Sequence, residues 1–154
     1  MTMIAPAPVR RNFTVATDPQ RAFDVFVSIG RWWQASHSIT TSGQANVVIE
    51  PRAGGRWYER GVAGELCQWG EVQVWEPPHR LVLIWGLDAD WAYDPELRTE
   101  IEVRFTAEEA GTRIEFEHRK LEAFGARAKD TAAQLGSDGG WTGLLAGYAA
   151  MVVR

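Results

Sequence analysis

The sequence predicts an α+β fold in which an antiparallel sheet of about six to seven strands packs against a long C-terminal helix. Three observations carry this. Residues 69–85, WGEVQVWEPPHRLVLIW, are two β-branched, apolar runs joined by Pro77-Pro78, which can neither continue a strand nor donate to its ladder. Residues 99–118 hold two alternating runs separated by AEEAG, a second long hairpin. Trp141, Leu144, Leu145, Tyr148, Ala149 and Val152 then recur at helical spacing and form one continuous apolar stripe.

Taken in order, Val9 to Ala16 reads as the first strand. Val9, Phe13 and Val15 share one face, and Arg11 is the polar exception on it. Thr17-Asp18-Pro19 starts a short amphipathic helix, because Asp18 is a good N-cap and Pro19 suits the first helical position. Ala22, Phe23, Phe26 and Val27 form its apolar face, and it ends near Gly30. Trp32 and Trp33 follow on a second short helical turn. Helix neighbours point about 100° apart, so both are buried only if the segment is wedged between two surfaces.

Ser36 to Gln44 is polar and loop-like, with His37 inside it. Val47–Pro51 and Arg56–Arg60 read as short strands joined by Ala53-Gly54-Gly55, whose glycine pair supplies positive φ. Gly61–Gly64 turns the chain into the 69–85 hairpin. Gly86 to Arg98 then breaks the strand pattern with an acidic loop, LDADWAYDPEL, of the length often found in lids. In the second hairpin, Ile101, Val103 and Phe105 face inward from one strand, and Thr112, Ile114, Phe116 and His118 from the other. Residues 120–136 read as a polar connection. Ser137-Asp138-Gly139 starts a last helix of about 15 residues, roughly 22 Å long. Its opposite side carries Gly143, Ala146, Gly147 and Ala150 and no charge, as expected where another element, or a second copy in a homodimer, comes close.

A chain of 154 residues reads as one domain, 1–154, able to bury roughly 70% of its unfolded surface. Cys67 is its one cysteine, which excludes an internal disulfide and a cysteine-rich zinc site. The opening MTMIAPAPVRR lacks the apolar core of a signal peptide, and no segment reaches the ~20 apolar residues of a membrane span, so a cytoplasmic protein is expected. A net charge of −4 with scattered basic residues argues against nucleic-acid binding. Eight tryptophans, nearly all inside predicted elements, imply an aromatic interior or an aromatic-lined cavity.

Trp69, Glu71, Gln73 and Trp75 share one face of their strand by parity, and Val72 and Val74 the other. If the tryptophan face lines a cavity, Glu71 becomes a carboxyl in apolar surroundings, the setting of a general acid or base; if the valine face is inside, Glu71 is solvated. His118 shares the inward face with Phe116 and is a candidate proton shuttle or ligand contact, or a satisfied structural histidine. Arg11, also inward, calls for a buried carboxylate such as Glu71 or Glu59, or for an anionic ligand group. The three dispersed histidines show no metal-ligand spacing, the 88–96 acids lack the pattern of a calcium loop, and no nucleotide fingerprint is present. No metal or cofactor is expected.

The chain resembles the START-like (SRPBCC) helix-grip superfamily, and within it the branch related to the activator of the Hsp90 ATPase (AHSA1-like), grouped also with polyketide cyclase-type proteins. The residues that carry the resemblance run almost end to end. They are Asp18-Pro19 with Phe23 and Phe26, Arg31-Trp32-Trp33, Gly54-Gly55 with Trp57, Gly70-Glu71-Val72, and Pro77-Pro78-His79-Arg80-Leu81 with Trp85. Thr99-Glu100-Ile101, Gly111-Thr112-Arg113, and Gly140-Trp141 with Leu144 complete them. The resemblance implies a curved antiparallel sheet gripping the C-terminal helix, with a cavity between them.

The favoured functional reading is a domain that binds an apolar or aromatic small molecule in that cavity, with Arg11, Trp33, Trp57, Trp69, Trp85, His118, Trp141 and Tyr148 as candidate contacts. A cyclase- or hydrolase-type enzyme using Glu71, His118 or Arg11 is the first alternative. An Hsp90 co-chaperone-like interaction module is the second. It is the weaker one, since the eukaryotic activator carries an additional N-terminal domain.

Overall fold

The structure, a computed structural model, describes residues 6–153; residues 1–5, part of the opening read for a leader, lie outside the described residues. Seven strands form one antiparallel sheet: β1 (Val9–Val15), β2 (Gln44–Ile49), β3 (Arg56–Gly61), β4 (Leu66–Glu76), β5 (Arg80–Trp85), β6 (Thr99–Glu108) and β7 (Gly111–Arg119). Their order is β1-β7-β6-β5-β4-β3-β2. The chain leaves β1 at one edge, crosses the concave face through α1 (Pro19–Val27) and a 3-10 turn (Ile29–Arg31), and enters β2 at the other edge. A meander from β2 to β7 then returns to pair with β1. The fold is α+β and helix-grip: the curled sheet holds the C-terminal helices α2 (Ala128–Leu135) and α3 (Gly143–Val152).

Local chemistry fixes the first crossing. Asp18 caps α1 by accepting from the Arg21 N–H at 2.8 Å, Pro19 occupies the first turn, and Ala22, Phe23, Val25 and Phe26 are buried. The turn after it wedges Trp32 and Trp33 between α1 and the rest of the core, both buried. The Trp32 indole N–H reaches the carbonyls of Val25 and Phe26 at 3.2 and 3.1 Å, closing the C-terminal end of α1.

Alternation in β6 and β7 places Ile101, Val103, Phe105, Thr112, Ile114, Phe116 and His118 inside, all nearly fully buried. The convex side of the same strands carries a charge lattice. Glu102 accepts from Arg119 at 2.7 Å and Arg104 at 3.0 Å and also pairs with Arg80; Glu100 is held by Arg119 at 3.0 Å and Lys120 at 2.7 Å. Partial burial works to raise both carboxyls, and the hydrogen bonds from their basic partners outweigh it, so both titrate below the ordinary range.

β4 departs from the parity expected of it. Its pairing slips against β3 between Trp57 and Tyr58, and against β5 between Val72 and Val74. Each slip is a bulge that moves one residue out of alternation. Trp69, Val72 and Trp75 therefore all turn toward the core, at a spacing of three rather than two. Neither of the two faces that strict alternation defines is the inner one. Gly70 sits at the first bulge between Trp57 and Trp85, and a Cβ there would lie 1.7 Å from the Ile84 carbonyl oxygen.

The C-terminal region corrects two expectations. Residues 120–136 are a 3-10 segment (Leu121–Arg127) followed by α2, which buries only Ala128, Thr131 and Leu135. That stripe is too narrow to stand out in a polar sequence. The last helix is not one element of about 15 residues: α3 has 10, and a π-helical turn, Asp138–Thr142, precedes it. Gly140 breaks the run at φ −102°, ψ −133°, where the carbonyls of Gln134 and Leu135 leave no room for a side chain. Gly147 meets the Trp32 carbonyl, and Gly143 lies near the Gln34 amide, so the uncharged side of α3 is approached from within the chain. Tyr148, buried in α3, donates to the Ala22 carbonyl at 2.7 Å and locks α3 onto α1; burial pushes its hydroxyl pKa up.

Candidate functional site

Between β4, β5 and the start of α3 lies a cavity of about 250 Å³ walled by Trp33, Trp69, Trp85, Trp141, Leu135 and Leu144. Its rings form a continuous box. Trp33 packs on Trp69 at 4.9 Å between centroids and on Trp141 at 5.9 Å, and Trp85 lies 5.6 Å from Trp141. Three of these indoles spend their N–H on the protein: Trp33 on the His37 carbonyl at 3.0 Å, Trp85 on the Leu87 carbonyl at 3.1 Å, and Trp141 on His118 Nδ1 at 3.1 Å. With those donors satisfied, their ring carbons are free to line the space, a surface suited to flat apolar ligands. Trp69 Nε1 and Trp57 Nε1 are buried without a partner among the described residues.

The rim is polar and comes from three connections. Ser36, His37 and Ser38 arrive from the loop before β2, Gln134 and Gly139 from the α2–α3 junction, and Trp91 from the 86–98 loop. Glu59, fully buried on β3, holds the first of these. It accepts from the Ile39 N–H at 2.9 Å, the Thr40 hydroxyl at 2.9 Å, the Thr40 N–H at 3.4 Å, and the Ser38 hydroxyl. Four donors on one carboxylate offset the cost of burying it. His37 then bridges to the last helix, its Nε2 lying 2.7 Å from the Gly139 carbonyl.

The acidic loop is pinned at its base. Asp88 accepts from the N–H groups of Asp90 and Ala92 at 2.9 and 3.0 Å, Leu87 bridges to Tyr93, and Asp90 pairs with Arg127 at 3.1 Å. Trp91 at its tip has φ +65°, a left-handed conformation costly for a bulky residue, and this turns its indole to 6.3 Å from Trp85. It remains 42% exposed, the aromatic edge of the opening.

Four of the predicted contacts, Trp33, Trp69, Trp85 and Trp141, meet in this cavity. Trp57 stands one layer behind, 5.4 Å from Trp69 and 5.6 Å from Trp85. Tyr148 belongs to the α1–α3 contact described above. Arg11 sits at the β1 edge and meets neither Glu71 nor Glu59. It donates to the Gly136 carbonyl at 2.8 Å, the Thr142 hydroxyl at 3.0 Å and the Arg10 carbonyl at 2.6 Å, tying the end of α2 to the turn before α3.

Glu71 lies on the outer side of β4, where the first bulge leaves it, and pairs with the half-exposed Arg98. It is not among the residues that line the cavity.

His118 is fully buried behind Trp85 and Trp141 and does not line the cavity. Trp141 can only donate, so His118 Nδ1 accepts and Nε2 carries the proton. That proton goes to Thr99 Oγ1 at 2.8 Å, and the Thr99 hydroxyl passes its own to the Trp85 carbonyl at 2.9 Å. Burial drives the imidazole pKa down to about 3. His118 is a neutral peg that orients two cavity walls.

Sequence reasoning missed the polar rim. Ser36, His37 and Gln134 sit in segments with no periodic pattern, and only their convergence across the sheet brings them together. Among the described residues no group of His, Cys, Asp or Glu side chains is placed to hold a metal ion, and no helix is long and apolar enough to cross a membrane.

Residues 7–152 match the family described as activator of Hsp90 ATPase homolog 1-like protein. The chain belongs to this AHSA1 family. No curated protein sequence matches it significantly. Among solved structures, it is similar to an anthrahydroquino-Gama-pyrone synthase, Txn09, determined in complex with SUM. The two share 35% identity over 95% of this chain and 97% of that chain, with a TM-score of 0.66. It is also similar to CalC, a self-sacrificing resistance protein from Micromonospora echinospora, at 29% identity, with 94% of this chain and 93% of that chain covered and a TM-score of 0.68. Protein MLL2253 from Mesorhizobium loti, at 17% identity and a TM-score of 0.70 with 96% of this chain and 98% of that chain covered, shares the fold.

Proposed function

We propose that this AHSA1 family member binds a flat, aromatic small molecule in the tryptophan box between β4, β5 and α3. The observation that carries the reading is the box itself: about 250 Å³ of space with four buried indoles as walls, a fifth at its opening and polar groups only on one rim. The volume lies just below the usual range for ligand sites, roughly 300–1,000 Å³, which favours a compact ligand of few fused rings over a lipid chain. Likeness to the pyrone synthase supports the same class of ligand. A cyclase- or hydrolase-type site in which Glu71, His118 or Arg11 act together is not favoured, since those three groups face different regions.

Tryptophan fluorescence tests the reading directly. Titration with fused-ring aromatics should quench emission saturably, and Trp69→Ala should weaken that response, whereas a linear fatty acid of equal carbon number should leave emission unchanged. Absence of saturable quenching by any aromatic in the panel would sink it.

A further inference from the structure

We propose that His37 is the acid–base group of the cavity and that the ligand carries an ionisable hydroxyl, a phenol or enol, whose proton His37 accepts. The inference rests on the aromatic-binding reading and adds to it the chemical class of the ligand and the residue that meets its polar edge.

His37 is the single titratable side chain among the described residues that line the cavity. Every other polar side chain there is a serine, the Gln134 amide or an indole N–H. The two ring nitrogens of His37 have different duties. Nε2 lies 2.7 Å from the Gly139 carbonyl oxygen, which can only accept, so Nε2 bears the proton in the neutral ring. Nδ1 is then an acceptor. Its one partner among the described residues is the exposed Ser36 hydroxyl at 3.3 Å, a long contact that a ligand hydroxyl can replace.

Fixing one nitrogen on a carbonyl so that the other is a lone pair is how a histidine is prepared as a base. The mounting is firm. The His37 carbonyl accepts from Trp33 Nε1 at 3.0 Å and from Gln44 at 3.2 Å, and Glu59 clamps the next three residues.

The proton balance is simple. The ligand O–H breaks, Nδ1–H forms, and the imidazolium keeps its Nε2–H on Gly139 while the ligand oxygen becomes an anion beside it. No cofactor or redox partner takes part. Of the charged groups attached to these two segments, Glu59 is taken up by Ser38, Ile39 and Thr40, and Asp138 precedes Gly139 in the chain; among the described residues the His37 ring is hydrogen-bonded to Ser36 and Gly139 and to no charged group. An anionic ligand oxygen would be the partner that a charged His37 otherwise lacks.

A hydroxyanthraquinone, whose visible band moves to longer wavelength on losing its proton, serves as the probe, with unsubstituted anthraquinone as its control. With the native protein at a pH where the free probe is neutral, the bound probe should show the anion's band. His37→Gln should abolish that band and weaken hydroxyanthraquinone binding about tenfold or more, while anthraquinone affinity changes less than about twofold. Nitrogen NMR of the His37 ring in the native protein gives an independent reading, because both nitrogens should become protonated when the probe binds and stay unchanged with anthraquinone. A bound probe with the neutral band, or equal binding by native and His37→Gln protein, overturns this inference and leaves the aromatic cavity standing. Failure of both anthraquinones to bind overturns the two together.

Discussion

His118 ties the stability of the fold to pH, and the size of the effect follows from the relay that holds it. In the unfolded chain an imidazole titrates near its ordinary value of about 6.5. In the folded chain burial lowers it to about 3, and Nδ1, the site a second proton would take, is occupied by the Trp141 N–H. Between those two values the unfolded state binds one proton more than the folded state, so stability rises with pH across the window and is lost as the pH falls through it. At about 1.36 kcal/mol per pH unit, going from pH 7.5 to 4.5 removes about 2.7 kcal/mol, a large share of a typical total of about 5–15 kcal/mol.

Urea denaturation at several pH values measures this. His118→Gln, which cannot titrate, should start less stable because the ring contacts to Trp85 and Trp141 are lost, and should lack this component of the slope. All other titratable groups are common to the two proteins and cancel in the difference between their curves. Parallel curves between pH 7.5 and 4.5 would refute the neutral peg, because His118 would then be taking up its proton in the folded state.

Trp141→Phe keeps an aromatic in the wall and removes the donor to His118, so it should cost about 1–3 kcal/mol in urea denaturation. Trp141→Ala should cost about 3–5 kcal/mol, and a loss under about 1 kcal/mol would show that this indole does not brace the helix–sheet contact. Glu59→Ala should cost about 1–3 kcal/mol and speed amide hydrogen exchange at Ile39 and Thr40, whose N–H groups lose their acceptor; unchanged exchange there would show that the rim loop is held some other way. Glu71→Gln should move stability by no more than about 0.5 kcal/mol and leave quenching by aromatics unchanged, since its pair with Arg98 lies half-exposed outside the cavity.

The sequence by itself determined whatever depends on neighbours along the chain. Asp18 with Pro19 announces the start of α1, alternation in 99–106 and 112–118 fixes which residues enter the core, and Pro77-Pro78 sets the β4–β5 turn. The abundance of tryptophan foretells an aromatic interior, because so much indole surface has to be buried somewhere. The fold class, and four of the cavity walls, were legible in this way.

Tertiary structure decided the rest, and in each case the deciding contact lies far away in sequence. Which β4 residues face inward depends on two bulges, which exist only in the register with β3 and β5. No count along β4 alone could place Trp69, Val72 and Trp75 on one side and Glu71 on the other. The last helix is broken because the carbonyls of Gln134 and Leu135 press on Gly140, a crowding invisible in a smooth helical stripe. His118 and His37 exchange the importance that their sequence settings suggest. Parity points His118 inward, but only Trp141 and Thr99 together make it an inert peg. His37 sits in an unpatterned loop, and the crossing from β1 to the far edge of the sheet carries it to Gly139 and to the rim of the cavity.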